Sequence, residues 1–120
     1  MITNRPDIDI AHLGLEGESD EIEYWRNHDP ENFLCLVSEN DGEIDGYLIG
    51  WKFKNYLWIN QIWHKSGTSL ESSKKGLAIA KVWAKERGMT HMRGETTRKE
   101  MRALKRYGFE EMAVILKCEL

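Results

Sequence analysis

Phe33 to Val37 is one apolar run and Ile44 to Phe53 is a second, and both read as strands. Between them, Glu39-Asn40-Asp41-Gly42-Glu43 predicts a hairpin turn, because Asn and Gly tolerate positive φ. Lys54-Asn55 predicts another turn. Tyr56 to Trp63, rich in aromatic and β-branched residues, follows as a third strand. The three strands form an antiparallel meander. The spacing then changes. Thr68 with Glu71 three residues on is a capping-box signature. From Leu70 to Arg87, apolar residues recur at 70, 77, 80 and 84, and at 79, 82 and 83, which predicts a helix with a wide buried arc. Gly88 is its stop. Thr90 to Glu95 reads as a short strand, residues 97–106 as a second helix stopped by Gly108, and Met112 to Leu116 as a final strand.

Upstream of the meander, Ser19 or Asp20 caps a short helix through Glu21, Ile22, Glu23, Tyr24 and Trp25, and Asp29-Pro30 ends it. Ile8 and Ile10 fit a short strand. The whole order predicts an α+β domain with one mixed sheet: antiparallel meander, crossover helix, parallel strand, helix, final strand. The crossover places the fourth strand parallel to the third. Residues 1–120 form a single domain on this reading.

Composition adds little to that picture. Apolar content is 41% and charged content 31%, ordinary for a soluble globular chain. No apolar run approaches the roughly 18 residues of a membrane span, and the N-terminal residues do not read as an apolar signal-peptide core. Cys35 and Cys118 sit in apolar runs and read as reduced core residues of a cytoplasmic protein. The four histidines lack ligand spacing, so no metal is expected.

Charge is unevenly placed. Residues 1–46 carry thirteen Asp/Glu against two Arg, a balance of −11, and residues 47–120 carry fifteen Lys/Arg against seven Glu, a balance of +8. Two faces with different partners would show this split, and so would two halves that neutralise each other. Arg98, Arg102 and Arg106 recur at helical spacing with Lys99 and Lys105 beside them. The pI of 5.8 argues against nucleic acid as the main partner.

Leu77-x-x-Ala80-x-x-Trp83-Ala84-x-Glu86-x-Gly88, a strand near Met92, then Arg102-Ala103-Leu104-x-x-x-Gly108-Phe109 resembles the back half of the GNAT N-acetyltransferase superfamily. The phrase Glu95-x-x-Arg98 is more like small, divergent GNAT-like proteins of bacteriophages and prophages. The resemblance spans residues 33–120. It implies a fold in which a loop before the crossover helix holds the CoA pyrophosphate on backbone N–H groups and the positive helix end. Here that loop has neither expected glycine, and Glu71 falls in the first helical turn. Gly67 remains, with Ser66, Thr68 and Ser69 as donors and Lys74 in reach of a phosphate. The resemblance places the third strand, with Ile62 and Trp63, along the pantetheine through backbone contacts.

It further implies a general base and a general acid. His64 and Glu95 are the candidates for the base; the plainer reading of each is a satisfied polar residue at a sheet end. The family's tyrosine position is Leu104 here, and adjacent Tyr107 is the substitute acid, or a core ring. The resulting reading is a GNAT-like acyltransferase moving an acetyl group from acetyl-CoA to a primary amine of a small molecule or a protein lysine. The acidic N-terminal half would attract a cationic acceptor. The glycine-poor loop motivates the alternative: an inactive protein of the same fold, bound to a host or virion partner. A homodimer is one way for so short a chain to complete an acceptor pocket.

Overall fold

The computed structural model describes residues 1–9, 13–15, 19–65, 70–95, 105–106, 108–110, 112 and 117–119. The elements are strand β1 (Ile2–Asn4), helix α1 (Ser19–His28), a 3-10 turn (Pro30–Asn32), strands β2 (Phe33–Asn40), β3 (Glu43–Phe53) and β4 (Tyr56–His64), helix α2 (Leu70–Glu86) and strand β5 (His91–Gly94). They form one sheet in the order β1-β2-β3-β4-β5. All pairs are antiparallel except β4–β5, which is parallel. The α+β class, the meander and the crossover to a parallel neighbour are therefore observed. The loop over 66–69, most of the helix expected over 97–106 and most of the strand expected over 112–116 lie outside the described residues.

Turn chemistry sets the meander. Asp41 and Gly42 both hold positive φ, 52° and 76°, between paired Asn40 and Glu43. That is the two-residue hairpin whose twist suits the flanking strands. Lys54, at φ 56°, turns β3 into β4. β1 was not anticipated. It lies at residues 2–4, ahead of the strand expected at Ile8 and Ile10, and pairs Thr3 with Val37. Ile8 is outside any strand and contributes a buried side chain instead; Ile10 is not among the described residues.

The sheet alternates its side chains between two cores. Leu34, Leu36, Leu48, Leu57 and Ile59 face α2, where Leu77, Ala80, Trp83 and Ala84 cover them. Phe33, Cys35, Val37, Ile49 and Trp51 face α1, which supplies Ile22 and the partly buried Trp25. The buried arc of α2 is narrower than its sequence suggests: Ile79 and Val82 are exposed. α2 ends in a Schellman motif. Gly88 at φ 76° donates to the Lys85 carbonyl, and Met89 donates to the Ala84 carbonyl at 3.0 Å. Arg87 then lies 4.3 Å over the Trp83 ring, and Lys52 donates to the Arg87 carbonyl. No helix among the described residues is long and apolar enough to cross a membrane. Both cysteines are free; Cys35 is buried, but Cys118 is exposed and not a core residue.

Candidate active site at the bulge of β4

The sheet is irregular where β4 leaves β5. Along the β3–β4 pair, Ile49 opposes Gln61, but the next partners are Gly50 and Ile59. Asn60 is the extra residue of a β-bulge, which bends a strand and re-aims its side chains. A second bulge lies in β3 at Asp45, between the pairs Ser38–Gly46 and Glu39–Ile44. Among the described residues, the buried side-chain oxygens without a hydrogen-bond partner are Asp45 Oδ1 and Asn60 Oδ1, one in each bulge residue.

The bulge overturns strict alternation along β4. Two-residue periodicity places Gln61 and Trp63 with Leu57 and Ile59, and Ile62 and His64 with Trp58. The observed register reverses both assignments. Ile62 opposes Leu48 and so shares the α2 face with Leu57 and Ile59. Trp63 opposes Tyr47 on the α1 face, where their rings stack at 5.5 Å. His64 falls on the α2 side, opposite Gly46.

Glycine makes the irregularity possible. A β-carbon on Gly50 would stand 2.5 Å from the Trp58 carbonyl oxygen and 3.1 Å from Leu57 Cδ1. No side chain fits there unless the strands separate. Gly94 makes a looser contact, with its β-carbon position 3.3 Å from the Ile59 carbonyl oxygen. That contact is the last of the parallel register, which runs from Tyr56–His91 to Ile59–Gly94. Beyond it β4 continues from Asn60 to His64, hydrogen-bonded to β3 but not to β5. Among the described residues, its outer backbone edge is therefore free over this stretch. Free edge groups of a strand are donors and acceptors for an extended ligand.

α2 begins at Leu70, a few residues after His64, at the same end of the sheet. Its N-terminus is the positive end of a helix dipole. Lys74 and Lys75 are exposed on its second turn. A strand edge and a helix N-terminus thus lie next to one another at one end of the sheet.

The residues singled out from the sequence are placed as follows. Ile62 and Trp63 lie on the free edge and are exposed. His64 ends β4, exposed, with Nδ1 3.3 Å from the Lys65 carbonyl. Glu95 follows β5 directly and is exposed. The parallel register sets Glu95 level with the bulge, whereas His64 lies four residues farther along β4, roughly 13 Å away. The two candidate bases are thus not brought together. Ser66, Gly67, Thr68, Ser69 and Tyr107 lie outside the described residues, as do Arg98 and Arg102.

One neighbour was missed. Glu21, in the first turn of α1, accepts a hydrogen bond from Asn60 Nδ2 at 3.4 Å. This contact joins residues 39 positions apart, which no local spacing encodes. On the same face, Leu13, Ile44, Tyr47 and Trp63 line an open pocket of about 210 Å³. Burial raises the Tyr47 hydroxyl pKa above its ordinary value.

No protein-family model matches the chain, and no curated protein matches it in sequence. Solved structures do match. The aminoglycoside N-acetyltransferase AAC(6')-Iy in complex with CoA superposes with a TM-score of 0.73 at 17% identity, over 100% of this chain and 99% of that one. An aminoglycoside acetyltransferase from an uncultured soil metagenomic sample, in complex with sisomicin, reaches 0.72 at 16% identity, over 100% and 95%. The glucosamine-6-phosphate N-acetyltransferase of Arabidopsis thaliana reaches 0.70 at 13%, over 99% and 98%.

The chain has the GNAT fold. At these identities the likeness is one of architecture, not of residues. In GNAT terms β2 to β4 are the meander and α2 is the crossover helix, and among the described residues β4 and β5 part after the Ile59–Gly94 pair.

Proposed function

We propose that the chain is an acetyl-CoA-dependent N-acetyltransferase acting on a primary amine of a small molecule. The observation that carries this reading is the free edge of β4 from Asn60 to His64, opened by the bulge and ending beside the N-terminus of α2. An extended pantetheine arm needs backbone donors and acceptors along its length, and a pyrophosphate needs amide donors at a helix end. Both lie at one end of this sheet. On this reading the backbone of Ile62 and Trp63 lines the arm, and Ser66, Gly67, Thr68 and Ser69 with Lys74 hold the phosphates. Bound acetyl-CoA supplies an activated acyl group for attack by an amine.

The similar structures support the choice of chemistry. Structures of AAC(6')-Iy hold CoA or a bisubstrate analogue, CoA-S-monomethyl-acetylneamine. The protein's own part is to orient the two reactants, to place backbone N–H groups where negative charge develops, and to remove the amine proton. His64 and Glu95 remain candidates for the last task. Glu95 is the better placed, because it is level with the bulge.

The test is an acetyl-transfer assay with primary amines of several sizes, scored by release of free CoA thiol and by the mass of the N-acetyl product. Amine-dependent thiol release with a 42 Da mass gain is the expected outcome, the gain being that of one acetyl group replacing a hydrogen. Thiol release without acetylated amine, at the rate of spontaneous hydrolysis, contradicts the reading.

A further inference from the structure

We infer that Glu21 and Asn60 form the subsite for the acceptor's ammonium group, and that the pocket between Tyr47 and Trp63 takes its apolar body. The acceptor class is then an amine on an aromatic or apolar frame. This rests on the acetyl-transfer reading for the word acceptor, but the binding site stands on its own observations.

The two faces of the sheet divide the work. The N-terminus of α2, where phosphates would sit, belongs to the α2 face, so a second reactant meets the free edge of β4 from the α1 face. Four groups present themselves there: Glu21, Asn60, Tyr47 and Trp63. Glu21 is an exposed carboxylate residue, and among the described residues it has no ion-pair partner and one hydrogen bond. Its one hydrogen bond, from Asn60 Nδ2, is long at 3.4 Å and easily replaced. Asn60 Oδ1 is buried without a donor. An orphaned buried carbonyl costs about 1–3 kcal/mol, which an incoming N–H donor removes. An ammonium has three N–H groups and no acceptor. One N–H directed to the Glu21 carboxylate and another to Asn60 Oδ1 satisfies both.

The body of the acceptor follows from the next residues of the strand. Trp63 lies three residues beyond Asn60, roughly 10 Å along β4, a gap that an arylalkyl frame and the indole side chain span together. It is 44% exposed although it is stacked on Tyr47. With Leu13 and Ile44 it walls the pocket of about 210 Å³. An exposed stacked tryptophan beside a small pocket lined by Leu13, Ile44 and Tyr47 is a surface for a flat ring.

The test uses tyramine and 4-ethylphenol as probes, the second being the same frame without the amine. Binding to the full chain is measured by calorimetry, alone and with CoA. Tyramine is expected to bind about tenfold more tightly than 4-ethylphenol. Glu21→Gln should erase that difference and leave 4-ethylphenol binding unchanged. Trp63→Ala should weaken both probes. Equal binding of the two probes, no binding of either at millimolar concentration, or an undiminished tyramine advantage in Glu21→Gln overturns the inference. A parallel CoA titration keeps the two claims apart. Glu21-dependent tyramine binding without CoA binding supports the subsite and removes acetyl transfer. CoA binding without Glu21-dependent tyramine binding removes the subsite and leaves acetyl transfer intact.

Discussion

Gly50 opposes Ile59 across the β3–β4 pair, with the position of its missing β-carbon 2.5 Å from the carbonyl oxygen of Trp58. The obstructing atom is backbone, so it cannot rotate away. Gly50→Ala is therefore expected to force β3 and β4 apart beside the bulge. Overpacking of this kind costs about 1–3 kcal/mol. Urea denaturation should show the midpoint falling with an unchanged slope. The same variant should lose CoA affinity, because the bulge beyond which the edge of β4 is free sits next to it. Wild-type stability would refute the close approach.

The two apolar stripes of α2 should behave differently. Leu77 is buried in the core against the sheet, whereas Val82 is exposed. Leu77→Ala is expected to cost about 2–5 kcal/mol, and Val82→Ala to stay within about 0.5 kcal/mol. Thermal unfolding of the two variants checks the contrast. Equal losses would mean that Val82 packs against something in the folded protein.

Cys35 is buried, and burial pushes its thiol up to about 11, against the opposing pull of the Arg26 and Arg5 charges. A thiol held protonated is a poor nucleophile. Native protein at pH 8 should therefore react with iodoacetamide at exposed Cys118 only, and at both cysteines in urea. The same shift carries a pH dependence. The unfolded thiol loses its proton above its ordinary value of 9.0, while the folded one keeps it to about 11. The unfolded state then binds fewer protons, so stability falls as pH rises through that window. Cys35→Ala should flatten that part of the stability curve.

The meander and α2 were legible because their signals are local. Asn40-Asp41-Gly42 is a turn by residue chemistry, and Leu77, Ala80 and Ala84 recur at helical spacing. β1 was not legible, since three residues carry no periodicity, and its pairing partner Val37 lies 34 positions away from Thr3. The faces of β4 were misread because one inserted residue inverts every side chain beyond it. An isolated glycine within a long strand, Gly50, is the signal that points to such a bulge. Ile79 and Val82 widened the apparent arc of α2, because apolar type alone does not report burial. Glu21 reads from the sequence as one residue of a short capped helix; its meeting with Asn60 is a tertiary contact.

The central claim is that the free edge of β4 and the N-terminus of α2 bind CoA. Calorimetric titration of the purified protein with acetyl-CoA and CoA tests it most directly. The account predicts saturable one-to-one binding in the micromolar range, or about −8 kcal/mol, reduced in Gly50→Ala. Absence of heat up to millimolar CoA, from protein shown to be folded, would contradict it.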